Sequence, residues 1–334
     1  MKSFIFSEFD NPKINSNGLL IVRISLKNVV LPFLFTRMKS RLSTKIGIFF
    51  IRILAKFPFW LIYLISDLLY LLVYYVIRYR KNVVYENLRY AFPEKKEAEI
   101  QAIAKKYYRH FSDLTMESFK TGGMNEKDFR ERMKLKNPEL IKPFYDLGKS
   151  AVVLTMHYNN WEWGIFHSEY VRHKILAVYK PLHNEAFDVF MRKTRSRFKT
   201  DLISNNQVLR RILLAQKQKE PVAIWLAGDQ TPPEFHKFWF TFLNRDAMFY
   251  PGPAFLSKKF DLPVIFMKIE KTGRGKYLTS IELLFEHPEK VSEEEIISVY
   301  IKRMEEVIRE KPEYYLWSHK RWKHKRPADI PLKN

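Results

Sequence analysis

The chain has 334 residues, with 58 Lys plus Arg against 36 Asp plus Glu and a formal charge of +22. Aromatic residues at 16% exclude a disordered basic tail, and so large a charge calls for an anionic partner: nucleic acid, phosphorylated lipid, an acidic carrier protein or an anionic membrane face. Cysteine is absent, which excludes disulfides, thiolate nucleophiles, iron–sulfur sites and Cys-based zinc sites, and fits a reducing compartment.

Residues 1–45 read as an irregular extension, with turns at Asp10-Asn11-Pro12 and Asn15-Ser16-Asn17-Gly18 and no secretory leader. Met38, followed by Lys39, Arg41 and Lys45, is the expected translation start. Residues 46–80 form an expected membrane-anchoring segment. Within it, 57–77 reads as one helix with Asp67 its only charge, roughly 30 Å long and so about one hydrocarbon thickness. Trp60, Tyr63, Tyr70, Tyr74 and Tyr75 suit an interfacial depth, and Arg78, Arg80 and Lys81 put the C-terminal side on the cytoplasmic face. Asp67 costs about 2.5–3.5 kcal/mol near mid-bilayer, which leaves open a helix lying against the following domain instead of crossing the membrane.

Residues 81–334 read as one cytoplasmic globular domain. Apolar spacing predicts a helix over 97–119 (Ile100, Ile103, Tyr107, Phe111, Leu114, Phe119). Short apolar strands follow at 151–156, 175–179, 221–227, 263–269 and 278–284, alternating with helices at 186–198, 207–218, Gly252–Phe260 and 292–310. The alternation predicts an α/β fold, a mixed sheet with flanking helices.

Polar residues stand immediately after three of these strands. His157 follows the first, with Glu162 five positions on, and a histidine oriented by a carboxylate is the arrangement for a general base. H-x4-E alone recurs by chance; its position beyond a strand end is what singles it out. After the second strand comes Tyr179-Lys180-Pro181-Leu182-His183-Asn184, then Arg192, Arg195 and Arg197: a solvated basic helix face or a clamp for phosphate or a thioester carbonyl. The third strand ends in Gly228-Asp229-Gln230, alone an ordinary turn. No serine elbow, P-loop, dinucleotide fingerprint or zincin motif occurs, and Ser196-Arg197-Phe198-Lys199 with Ser204-Asn205-Asn206 lie too close together for a penicillin-recognising serine enzyme. The C-terminal Trp317 and Trp322, interleaved with basic residues, suit an interfacial anchor on anionic lipid better than a nucleic-acid platform.

These residues together resemble the lipid A biosynthesis acyltransferase family over roughly 45–328. The resemblance rests on Arg80, Asn87-Leu88 and Phe92-Pro93-Glu94; on His157, Asn160, Trp161 and Glu162; on Tyr179-Lys180-Pro181 with Asn184; on Arg195-Ser196; on Asp229-Gln230; and on Pro312-Glu313, Leu316-Trp317, His319, Arg321-Trp322-Lys323 and Arg326-Pro327. Asn159 stands where the family usually has Gly; if that position has φ > 0, Asn is the next most tolerant residue. The resemblance implies a glycerolipid-acyltransferase-like α/β domain on the cytoplasmic side of the inner membrane. It implies acyl transfer from acyl carrier protein thioester to a hydroxyl of a lipid A precursor, without a metal, an organic cofactor or nucleic acid. His157 would be the base and Glu162 would hold its imidazole. Arg195 and Asn160 would stabilise the oxyanion or position the donor, Lys180 would meet lipid phosphates and the acidic carrier, and Asn184, Asp229 and Gln230 would bind substrate. Another acceptor, such as a phosphoinositide mannoside or an aminolipid, and a non-catalytic basic membrane-surface protein are the alternatives.

Overall fold

The computed structural model describes residues 41–333, except 183 and 234–237; Met38 and most of the expected extension lie outside them. The chain begins with helices α1 (Arg41–Leu54), α2 (Phe59–Leu71, prolonged by a π turn Leu72–Val76), α3 (Lys81–Ala91), α4 (Glu97–Lys120) and α5 (Glu126–Arg132). Then come β1 (Met133–Leu135), α6 (Lys142–Asp146), β2 (Ala151–Thr155), a 3-10 helix Trp161–Glu169, β3 (Lys174–Tyr179) and α7 (Glu185–Arg195). Next are β4 (Thr200–Ser204), α8 (Val208–Lys217), β5 (Val222–Ala227) and the hairpin β6 (Trp239–Phe242) with β7 (Arg245–Met248). The chain closes with α9 (Gly252–Phe260), β8 (Val264–Gly273), β9 (Lys276–Phe285) and α10 (Glu293–Glu310).

Every residue of β2 is buried, because its side chains alternate between two cores. Val152 and Leu154 join the layer formed with α3, α4 and α10, whereas Ala151 and Val153 face Trp163, Phe166, Phe129 and Phe144. The sheet has seven strands in the order β1-β9-β8-β2-β5-β3-β4. β8, β2, β5, β3 and β4 run parallel, while β9 is antiparallel to β8 and carries β1 parallel to itself. This is the mixed α/β sheet that the strand–helix alternation predicts.

Pro58, with φ −65° and no N–H to donate, separates α1 from α2, so the apolar segment begins its helix at Phe59 and α1 reaches back to Arg41. One face of α2 packs on α4: Ile62, Ser66 and Tyr70 are buried, and Ser66 Oγ donates to Asp113 Oδ1 at 2.8 Å. The opposite face exposes Trp60, Leu64, Leu68 and Leu71. Asp67 is paired with Arg274 at 2.7 Å, the partner that makes its place in an apolar helix affordable. By length and composition 59–76 also suffices to cross a membrane.

The C-terminal motif is not an exposed anchor. Trp317 is fully buried, Trp322 stacks on Phe242, and Arg321 is buried over the Phe249 ring at 4.2 Å. Arg80 Nη1 donates to the Ser318 carbonyl at 2.9 Å and Asn87 Nδ2 to those of Trp317 and His319, so two distant motifs hold each other.

Candidate active site

Because β2, β5 and β3 are adjacent and parallel, their C-terminal ends deliver the residues beyond them to one sheet edge. Tyr300 of α10 ties two of these ends together: its hydroxyl donates to the Thr155 carbonyl and accepts from Gly228 N at 3.2 Å. A Cβ at Gly228, just beyond β5, would come within 3.1 Å of that ring and press on it. The His157 loop is gripped from the C-terminal motif, as Leu316 N donates to the His157 carbonyl at 3.1 Å and Asn159 N to that of Tyr314 at 3.1 Å. Asn159 has φ 51°, the left-handed conformation that asparagine tolerates best after glycine.

His157 Nδ1 lies 2.7 Å from Asp229 Oδ1, and His157 N donates to Asp229 Oδ2 at 3.0 Å. A carboxylate only accepts, so Nδ1 carries the proton and the lone pair sits on Nε2, where the Gln230 amide donates at 3.0 Å. Burial opposes the imidazolium, but the charge and hydrogen bond of Asp229, with Glu162 further off, outweigh it and raise the His157 pKa above 6.5. Burial works against the Asp229 carboxylate too, yet His157 holds its pKa below the usual value. Trp161 packs edge-on against the imidazole at 5.1 Å.

Glu162 does not hold the imidazole. Its carboxylate takes a bidentate pair from Arg195, Nε to Oε2 at 2.9 Å and Nη2 to Oε1 at 2.6 Å. The 3-10 helix starting at Trp161 turns Glu162 toward the end of α7, and Asp229, one strand away, takes Nδ1 instead. Asn160 is likewise not free for an oxyanion: it caps that helix by accepting from Trp163 N at 3.2 Å and donates to Glu117 Oε2 at 2.7 Å. Glu117, fully buried, also accepts from Tyr277 at 2.8 Å and Tyr63 at 3.0 Å. Burial, reinforced by Asp113, pushes its carboxyl up to about 7 against those hydrogen bonds.

Lys180 is exposed at the end of β3 and bonds to none of His157, Asp229, Glu162 or Arg195. Asn184 caps α7 by accepting from Phe187 N at 3.1 Å and donates to Thr44 of α1 at 2.8 Å, a structural use of both ends of its amide. His319, held neutral as burial pushes its pKa down to about 3, accepts from Thr231 N at 3.2 Å and so fixes the loop after Gln230. Glu117, Trp161 and Tyr300 escaped sequence reasoning as site residues; the helix that carries Glu117 and the motif that carries Trp161 were the only signals. Asp261, His287 and Glu289 converge as metal-ligand types, but Lys149 occupies Asp261 at 2.8 Å and the group is largely exposed.

A family model described as bacterial lipid A biosynthesis acyltransferase matches residues 34–324. None of the curated proteins compared matches the chain.

Proposed function

The chain belongs to the bacterial lipid A biosynthesis acyltransferase family and is an acyltransferase, and we propose that it moves a fatty acyl chain from acyl carrier protein thioester to a hydroxyl of a lipid A precursor. The observation that carries the reading is the His157–Asp229 pair beyond the C-terminal ends of β2 and β5, an imidazole backed through Nδ1 by a buried carboxylate with the Gln230 amide on its Nε2. The acceptor hydroxyl displaces the Gln230 amide from Nε2 and gives its proton to the imidazole as its oxygen attacks the thioester carbonyl carbon. Asp229 stabilises the imidazolium and fixes the tautomer. The tetrahedral oxyanion collapses, the C–S bond breaks, and the departing thiolate takes the proton back from Nε2. Arg195 is oriented through Nε and Nη2 by Glu162; its Nη1, bonded to no described acceptor, is the donor we assign to the oxyanion. Transfer is direct, with no acyl-enzyme, and calls for no metal or organic cofactor.

The exposed apolar faces of α1 and α2 support seating in the inner membrane with the catalytic domain on the cytoplasmic side. Packing of α2 on α4 favours a helix lying in the near leaflet over one that crosses. The test is purified protein in detergent with acyl carrier thioester and three acceptors: a lipid A precursor, a phosphoinositide mannoside and an aminolipid. Mass spectrometry should show one acyl chain gained by the first. Gain only on another acceptor reassigns the substrate, and gain on none refutes the reading.

A further inference from the structure

An open groove of about 700 Å³ runs between α1, the turn after α4 and α7, lined by Phe49, Arg52, Ile53, Lys56, Phe190 and Lys193 among others. No acidic residue lines it. Arg52, Lys56 and Lys193 are exposed and have no carboxylate partner among the described residues, whereas Arg197 is spent on the carbonyls of Thr121, Gly122 and Met124. The floor is a close contact: a Cβ on Gly123 would stand 2.0 Å from the Ala55 carbonyl oxygen, so only glycine lets the turn meet the α1–α2 elbow. Phe49 and Ile53 are exposed, as are Ile46 and Phe50 on the same helix and Trp60 and Leu64 on α2, the next helix along the chain. Lys193 and Thr194, which line the groove, directly precede in sequence Arg195, which grips Glu162.

Resting on the acyltransferase reading, we propose that this groove binds the phosphorylated headgroup of the acceptor glycolipid, which enters sideways from the membrane with its chains along α1 and α2. An amphiphile with an anionic head and apolar tails matches the groove: cations without a carboxylate partner beside Phe49, Ile53 and Phe190, on a helix that also exposes Ile46 and Phe50. An acyl carrier protein, acidic but without exposed tails, needs no apolar lining.

The test compares wild type with Arg52→Gln/Lys193→Gln, both exposed and outside the catalytic pair, on acceptor with its phosphates and on phosphatase-treated acceptor. The double variant should raise KM for phosphorylated acceptor at least about tenfold. KM for dephosphorylated acceptor and for acyl carrier thioester should match wild type. An unchanged KM for phosphorylated acceptor, or a rise in donor KM instead, overturns the groove assignment. Absence of transfer by wild type sinks the reaction and not the groove, which is then judged by binding of a fluorescent phosphorylated glycolipid in nonionic detergent. Phosphate-dependent binding lost in the variant upholds the groove; binding unaffected by either change, or no binding, overturns it.

Discussion

His157 has two carboxylates near it, and which one touches it decides how activity depends on pH. Asp229 accepts from Nδ1 and raises the imidazole pKa above 6.5, so the base becomes protonated and inactive at a higher pH than a free histidine would. The acid limb of the rate profile should therefore lie above 6.5 in wild type. In Asp229→Asn it should move to lower pH while the plateau rate falls; an unmoved limb with an unchanged plateau contradicts the pairing. The sequence shows the histidine and both acids but not the pairing. Glu162 is five residues away and looks the better partner, whereas Asp229 is 72 residues distant and reaches His157 only because β2 and β5 are neighbours.

The 3-10 helix from Trp161 to Glu169 and helix α7 meet through Glu162 and Arg195, so those residues act as a unit. Glu162→Gln and Arg195→Ala should each lower kcat, and the double variant should be little worse than the poorer single one; additive losses would mean separate roles. The same helix is held from behind by Glu117 through Asn160. With the Glu117 pKa raised to about 7, the folded protein keeps a proton that the unfolded chain releases above about 4.3, so stability falls as pH rises between those values. Glu117→Gln should flatten that slope when Tm in detergent is compared at pH 5 and pH 7.5, and an unchanged slope counts against the buried charge. The buried strands β2, β5, β3, β8 and the paired β9 are legible because their apolar runs are continuous or alternating. β1 is too short to show a period, and β4 is a polar edge strand. The β6–β7 hairpin turns through Leu243 and Asn244, both with φ > 0, where no glycine announces it.

Across the whole molecule, α1 and α2 both expose large apolar side chains: Ile46, Phe49, Phe50 and Ile53 on the first, and Trp60, Leu64, Leu68 and Leu71 on the second. Leu64→Glu/Leu68→Glu, on the exposed face of α2, should move the protein from the membrane fraction to the soluble fraction with Tm nearly unchanged, since neither side chain is in the core. Retention on membranes would place the contact elsewhere. The apolar character of 57–77 is legible in the sequence, but its division at Pro58 and its grip on α4 are not, because Ser66, Asp67 and Tyr63 meet partners far along the chain. The central claim is general-base catalysis by His157, and initial rates of His157→Ala in detergent, with acyl carrier thioester and lipid A precursor, test it most directly. A loss of about 10²–10⁴-fold with folding and membrane association retained is expected; turnover near that of wild type would contradict the mechanism.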